Sequence, residues 1–500
     1  MKNYIAQGAC FFLIILTLSS FGSARKTKIY TSNYENVLGT SLEIKIQSIN
    51  DKIAEKSEKA ALIEIDRLNK ILSSYDQTSE FKLFEQTFKT PVNISTELFE
   101  VLELFNKWQN TTNGALNPAA ETISKIWKAA SISNQLPQTS ELKEAVNKVT
   151  ALHWSLNKAN QSATHLTTTP IALNSFVKSY IINKAAQAAL KVEGVDGVII
   201  NIGGDIVVRG NMNELIGISN PFADAENDDA LTVLRIKDKA IATSGNYRRG
   251  FKIQNNWYSH IIDPRTAQPA SSVASATVIA DDATTAGALA TAFNVLDVNE
   301  SMALAKNFPN VEYLIVDKFG KYSFSNGWKD LEMNKLEISK SGMERELNNS
   351  NFETIINFEL ALIKAQRVYR PFVAVWVEDE DKHPVKNIAV WYNKDKWLAD
   401  LKNWYRAYGA EYKLPGGPVQ STTSATRAPG KYTLKWDGTD DQKKPVKNGT
   451  YTINIEVVRE HGTYQIISKK ITLNNKPQTY TFSPNEEVAS ASIEYRKKTK

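Results

Sequence analysis

Cysteine is nearly absent. Cys10 is the only one, and it stands at the start of an apolar run, Ala9 to Leu18, that follows Lys2 and precedes the small residues Gly22-Ser23-Ala24. This order reads as an export signal covering residues 1–24, with Ala24 the last residue removed, so the expected location is exported and extracytoplasmic. The processed chain then has no thiol, which excludes disulfides, a Cys-based metal site and a lipid on Cys10. A long apolar run is also missing: Ala9 to Leu18 is too short for a comfortable span, so no stable membrane segment is expected. Nor is there a block of one charge sign. The formal charge of +6 drops to +5 with the loss of Lys2, and it is spread along the chain apart from the short tail Arg496-Lys-Lys-Thr-Lys500. Nucleic acid is therefore not an expected partner.

At 500 residues the chain exceeds one ordinary core, and about two or three domains is the expectation from length. Lys28 to Ile49 alternates like a strand. Glu55 to Leu72 places Leu62, Ile65, Leu68 and Leu72 at helical spacing. Leu98 to Thr111 reads as a second amphipathic helix stopped by Thr112-Asn113-Gly114. Gly197 to Gly210 reads as a buried strand, a bend at Gly203-Gly204 and a second strand. Met333 to Ser350 is polar and linker-like. After it the texture turns to β, with alternating strands around Arg370 to Val377, Lys386 to Trp391, Gly430 to Gly438 and Tyr464 to Ile471, and one short helix over Lys396 to Tyr408. The expected division is a first domain over 25–332, a linker over 333–352 and a β-sandwich over 353–500.

The chemistry concentrates in the later part of the first domain. Ala242 to Tyr247 reads as a strand end entering a Gly turn, and Lys252 to Ile262 as a strand ended by Asp263-Pro264. That leaves His260, Asp263 and Arg265 at a strand terminus. Thr284 to Val295 reads as an Ala-rich helix with Thr or Asp capping its entry, and its N-terminus suits a pyrophosphate. Imidazole titrates near neutral pH, which suits His260 to act as a general base. On these residues alone, a surface strand histidine is an equally good description of it.

The wording of these segments resembles the ApbE family, the FAD:protein FMN transferases. Thr243-Ser244-Gly245-Asn246-Tyr247 and Ser259 to Thr266 match its T-S-G-(D/N)-Y and S-H-I-I-D-P-R-T blocks, and Ala288-Leu-Ala-Thr291 matches the end of its T-A-D-A-L-A-T block. Ser73 to Glu80 is similar to a turn near the flavin, and Trp127 stands where the family has a tryptophan; a capped turn and burial in the core are the plain alternatives. Ala172 to Asn183 aligns with D-L-G-(G/A)-I-A-K-G-Y-x-x-D, keeping Lys178 and Tyr180, with Asn174, Ser175 and Ser179 in glycine positions. The resemblance implies an α+β fold, a transferase-type domain followed by a mainly β, immunoglobulin-like sandwich. It also implies transfer of FMN from FAD to a Thr or Ser hydroxyl of an acceptor flavoprotein, with AMP leaving, His260 as catalytic base, and Lys178, Asp205, Ser244, His260 and Asp263 as FAD-binding residues.

The departures concern metal. The family's Asp in D-A-L-A-T is Gly287 here, and two further family acids are Ala172 and Asn183. Ser175, Thr291 and Asp282 are the remaining candidates for holding Mg²⁺, a hard cation that wants oxygen ligands and preferably a charged one. A flavin carrier without transferase activity and an FAD pyrophosphatase therefore stand beside the transferase. The C-terminal half resembles a domain of unknown function found beside ApbE modules in exported bacterial proteins. In it Thr423-Ser424-Ala425-Thr426 is similar to the S-G-A-T flavinylation signal, with Ser424 for glycine, which makes Thr426 a candidate acceptor within the chain; a Ser/Thr-rich loop is the simpler reading.

Overall fold

The computed structural model describes residues 27–246, 249–333, 351–363, 370–392, 395–412, 423–424, 427, 429–459 and 462–498. The expected signal peptide, nearly all of the expected linker, Tyr247 and Thr426 lie outside the described residues. No helix among the described residues is long and apolar enough to cross a membrane.

The first half is built on an eight-stranded antiparallel sheet. Its strands, in spatial order, are Lys28–Val37, Thr40–Ser48, Val195–Ile202, Asp205–Gly210, Ala240–Gly245, Val273–Ala280, Glu312–Asp317 and Tyr322–Phe324. The helices Asp51–Leu72, Val177–Leu190 and Ala283–Val295 pack on one face through a continuous apolar core. The other face carries a smaller apolar cluster beneath the hairpin Asn213–Ser219/Ala230–Lys237 and buried Trp328. With apolar groups on both sides, Val273–Ala280 is buried at every position, and a strand covered on both faces has no reason to alternate.

Two expected strands are hairpins. Lys28 to Ile49 folds back at Leu38 and Gly39, whose φ of 50° and 76° reverse the chain. Lys252 to Ile262 is broken at Gln254 and Asn255, with φ of 48° and 67°, giving Gly250–Ile253 paired with Asn256–Ser259. A two-residue turn of this kind needs left-handed backbone at both positions. Here it is held from outside, by a hydrogen bond from the Gln254 amide to the Asn134 side chain at 2.7 Å.

The second half is a sandwich of a four-stranded and a five-stranded sheet around a separate apolar core. The helix Lys402–Tyr412 lies on the outer face of the larger sheet, burying Trp404 and Tyr408 against Phe372, Trp376 and Val390. Phe352–Leu360, which begins at the end of the expected linker, is a central strand of the smaller sheet. The two halves meet where the loop 220–229 covers the edge strand Gly430–Trp436. The Glu226 amide donates to the Thr433 carbonyl at 2.9 Å, and Asn227 bonds both the amide and the carbonyl of Lys435 at 2.8 Å each. Asp228 lies 3.0 Å from the Lys435 ammonium.

Candidate active site

Four segments converge at one end of the large sheet: the turn before Val177–Leu190 (the lysine helix), the Gly203-Gly204 bend, the end of Ala240–Gly245, and the hairpin leading to His260. The helix Ala283–Val295 (the alanine helix) packs beneath them. Its residues are small enough to be buried nearly all round, and Asn294 donates to the Ser244 carbonyl at 3.1 Å, tying it to the strand.

His260 follows the strand Asn256–Ser259. Its Nδ1 lies 3.0 Å from the Arg249 carbonyl oxygen. A carbonyl accepts only, so Nδ1 carries the proton and Nε2 is the basic nitrogen. Burial holds the imidazole below its ordinary value, the Arg249 guanidinium adds to this, and the carbonyl bond opposes it. The ring is therefore neutral at physiological pH.

Asp205 opens the strand after the Gly203-Gly204 bend, where φ of 61° and 102° favours glycine. Its carboxyl is desolvated, and burial pushes its pKa up to about 6 against the opposing effects of the Ser179 hydroxyl and Lys178. Ser179 donates to it at 2.7 Å. Lys178 sits beside it. Crowding by protein atoms lowers the lysine pKa, Asp205 opposes that, and Arg249 lowers it further, so Lys178, Asp205, Arg249 and His260 share one electrostatic neighbourhood. The lysine helix starts with no side-chain cap, which leaves its first-turn amides available to an anion.

Several expected site residues have other duties. Asp263 is buried and accepts from the amide, Nε and Nη2 of Arg265 at 2.8 to 3.2 Å; Arg265 in turn reaches Glu300 at 2.8 Å. This fork locks the Asp-Pro-Arg-Thr turn that supports His260. Asp282 caps the alanine helix by accepting from the Thr285 amide at 2.9 Å, so that helix end already holds an anion of its own. It is nine residues from Thr291, about 13 Å along a helix axis, too far to share an ion. Thr291 donates to Ser175 at 3.1 Å, and the oxygen involved is the Ser175 carbonyl, not its hydroxyl. Trp127 is buried, donating to the Ala267 carbonyl at 2.9 Å and packing on Tyr258. The turn 73–80 does reach the site's border, where the Leu173 amide donates to the Ser74 hydroxyl at 2.9 Å and Asn174 to the Tyr75 hydroxyl at 3.0 Å.

Ser179 is the residue that motif reading passed over. A Cβ on Gly287 would fall 2.1 Å from its Oγ and 2.9 Å from its Cβ, so the serine occupies the space a side chain at 287 needs. The two positions carry opposite changes of size, and that pairing was the available signal. A divalent cation is poorly served by what remains. The Ser175 carbonyl and Thr291 hydroxyl are neutral and bonded to each other, and among the described residues no group of three His, Cys, Asp or Glu side chains could hold a metal ion. The donor set does not fit Mg²⁺.

Beside the hairpin lies a cavity of about 620 Å³ lined by Asn246, Tyr258, Ser259, Lys318 and the exposed Trp257 and Phe222.

The sequence profile of the ApbE family matches residues 38–315, more than half of the chain. The chain belongs to the ApbE family. Residues 353–490 match a second family, described as "Predicted periplasmic protein (DUF2271)". Among similar proteins, the FAD:protein FMN transferase of Treponema pallidum is 28% identical over 328 residues, which is 61% of this chain and 88% of the relative. That of Vibrio cholerae is 28% identical over 282 residues, 54% and 84% of the two chains. The crystal structure of the ApbE protein from Thermotoga maritima aligns with a TM-score of 0.55 at 27% identity, covering 61% of this chain and all of that one. The flavin transferase ApbE from Vibrio cholerae aligns at 0.51 with 22% identity and shares the fold. An ApbE-type enzyme domain is thus followed by a mainly β domain.

Proposed function

We propose that the chain transfers FMN from FAD to a Thr or Ser hydroxyl of an exported protein, releasing AMP. The observation that carries this reading is the fixed tautomer of His260, with Nδ1 pinned to the Arg249 carbonyl and Nε2 basic. In the proposed reaction the acceptor oxygen bonds to the flavin-side phosphorus, and its proton passes to Nε2 of His260. The bond from that phosphorus to the bridging oxygen breaks, and AMP departs with the bridge. Lys178 and Arg249 counter the diphosphate charge, while Asp205 and Ser244 face the same region. The Mg²⁺ dependence that the resemblance implies has no support from the donor set, and no step is assigned to it.

A second reading is a flavin carrier that binds FAD without transfer, favoured by the occupied space at Gly287. Export through residues 1–24, a division near 333–352, and Thr426 as an internal acceptor belong to the same proposal. Incubating the protein with FAD and a Thr-containing acceptor separates the readings by product: flavin-labelled acceptor with AMP, unchanged bound FAD, or free FMN with AMP. The last outcome would make it a pyrophosphatase, and the second would end the transferase reading.

A further inference from the structure

Resting on the FAD reading above, we infer that Ser179 closes the position where a carboxylate at 287 would hold a divalent cation, so that this chain binds FAD without one.

Of the acids near the alanine helix, two are committed and a third is partly so. Asp282 caps the helix, Asp281 pairs with Lys239 at 2.7 Å, and Asp205 takes the Ser179 hydroxyl. The Thr291 hydroxyl donates to the Ser175 carbonyl, so these two neutral oxygens satisfy each other. A carboxylate restored at 287 alone would displace Ser179, whose Oγ and Cβ would lie 2.1 and 2.9 Å from the new Cβ.

The test is FAD binding by flavin fluorescence polarisation on the full processed chain, in EDTA and again in excess MgCl₂. Affinities equal within about twofold in the two buffers are expected. A loss of about tenfold or more in EDTA would overturn the inference while leaving the FAD reading intact, whereas no FAD binding in either buffer would remove both. The paired variant Ser179→Gly/Gly287→Asp exchanges the filled and vacated volumes and should gain a response to MgCl₂ of about tenfold. If it stays folded by circular dichroism and shows no such response, Ser179 is not what closes the position.

Discussion

Carboxylates withdrawn from water are treated in opposite ways in the two halves of the molecule. Glu456 of the sandwich accepts from the amides of Asn403 and Trp404 at 3.0 and 2.8 Å and from the Tyr464 hydroxyl at 2.6 Å, so it caps the helix Lys402–Tyr412 from a neighbouring strand. Its neighbour Glu487 is as fully engaged, by Arg459 at 2.7 Å and the Thr463 hydroxyl at 2.6 Å. Asp205 takes one side-chain hydrogen bond among the described residues, from Ser179. A buried acid with all its lone pairs used is a structural fastener, while one with spare capacity and a raised pKa is held ready for something that arrives later. The first half keeps its polar groups underused where a ligand is expected, and the second half shows no such reserve at these two acids.

The sharpest way to test this contrast is to strike each half at its own strength. His260→Ala should lower FMN transfer by about 10² to 10⁴-fold with the melting transition nearly unchanged; a variant that transfers flavin at the normal rate removes the imidazole from the chemistry. In the wild type, the acid limb of kcat/KM should fall below the ordinary histidine value of 6.5, because burial depresses the pKa and the base form survives to lower pH. Glu487→Gln should cost about 3 to 5 kcal/mol of stability, since Arg459 is left buried without its counter-charge, and should leave FAD binding alone. Denaturant melts check it.

Gly287→Ala should cost about 1 to 3 kcal/mol through overpacking against Ser179, and Ser179→Gly in the same chain should recover most of it. Additive losses would disprove the shared-space account. The effect expected at Asp205 appears only as pH is changed. Its folded pKa of about 6 lies above the unfolded value of 3.8, so the folded state binds the extra proton. That contribution is fully present below pH 3.8 and is lost as pH rises through 6. Asp205→Asn should therefore gain about 2 kcal/mol relative to wild type on going from pH 4 to pH 7. A pH-independent difference would place the carboxyl in water.

Much of the first half was legible because its signals are local. The alanine helix, the Gly203-Gly204 bend and the His260 segment each carry their own wording, and the helix Asp51–Leu72 needs only its apolar stripe and the Asn50 cap. What escaped depends on partners far away in the chain. The turn at Gln254 and Asn255 has no glycine and is stabilised by Asn134, 120 residues earlier. Asp282 looked like a ligand because it is acidic and near the right helix, yet a cap position fixes its direction. Ser179 and Gly287 are 108 positions apart, and either change read singly looks like a loss; only their contact reveals an exchange of volume.

The junction between the halves has a practical consequence. Gly430–Trp436 ends its sheet, and residues 226–228 lie along its open side, bonding the backbone at Thr433 and Lys435. Severed from the flavin half, the sandwich would bare that row of amides and carbonyls, an invitation for another molecule to add a strand. Work on the isolated C-terminal portion should therefore begin with its tendency to self-associate, judged by sedimentation, before any activity is ascribed to it.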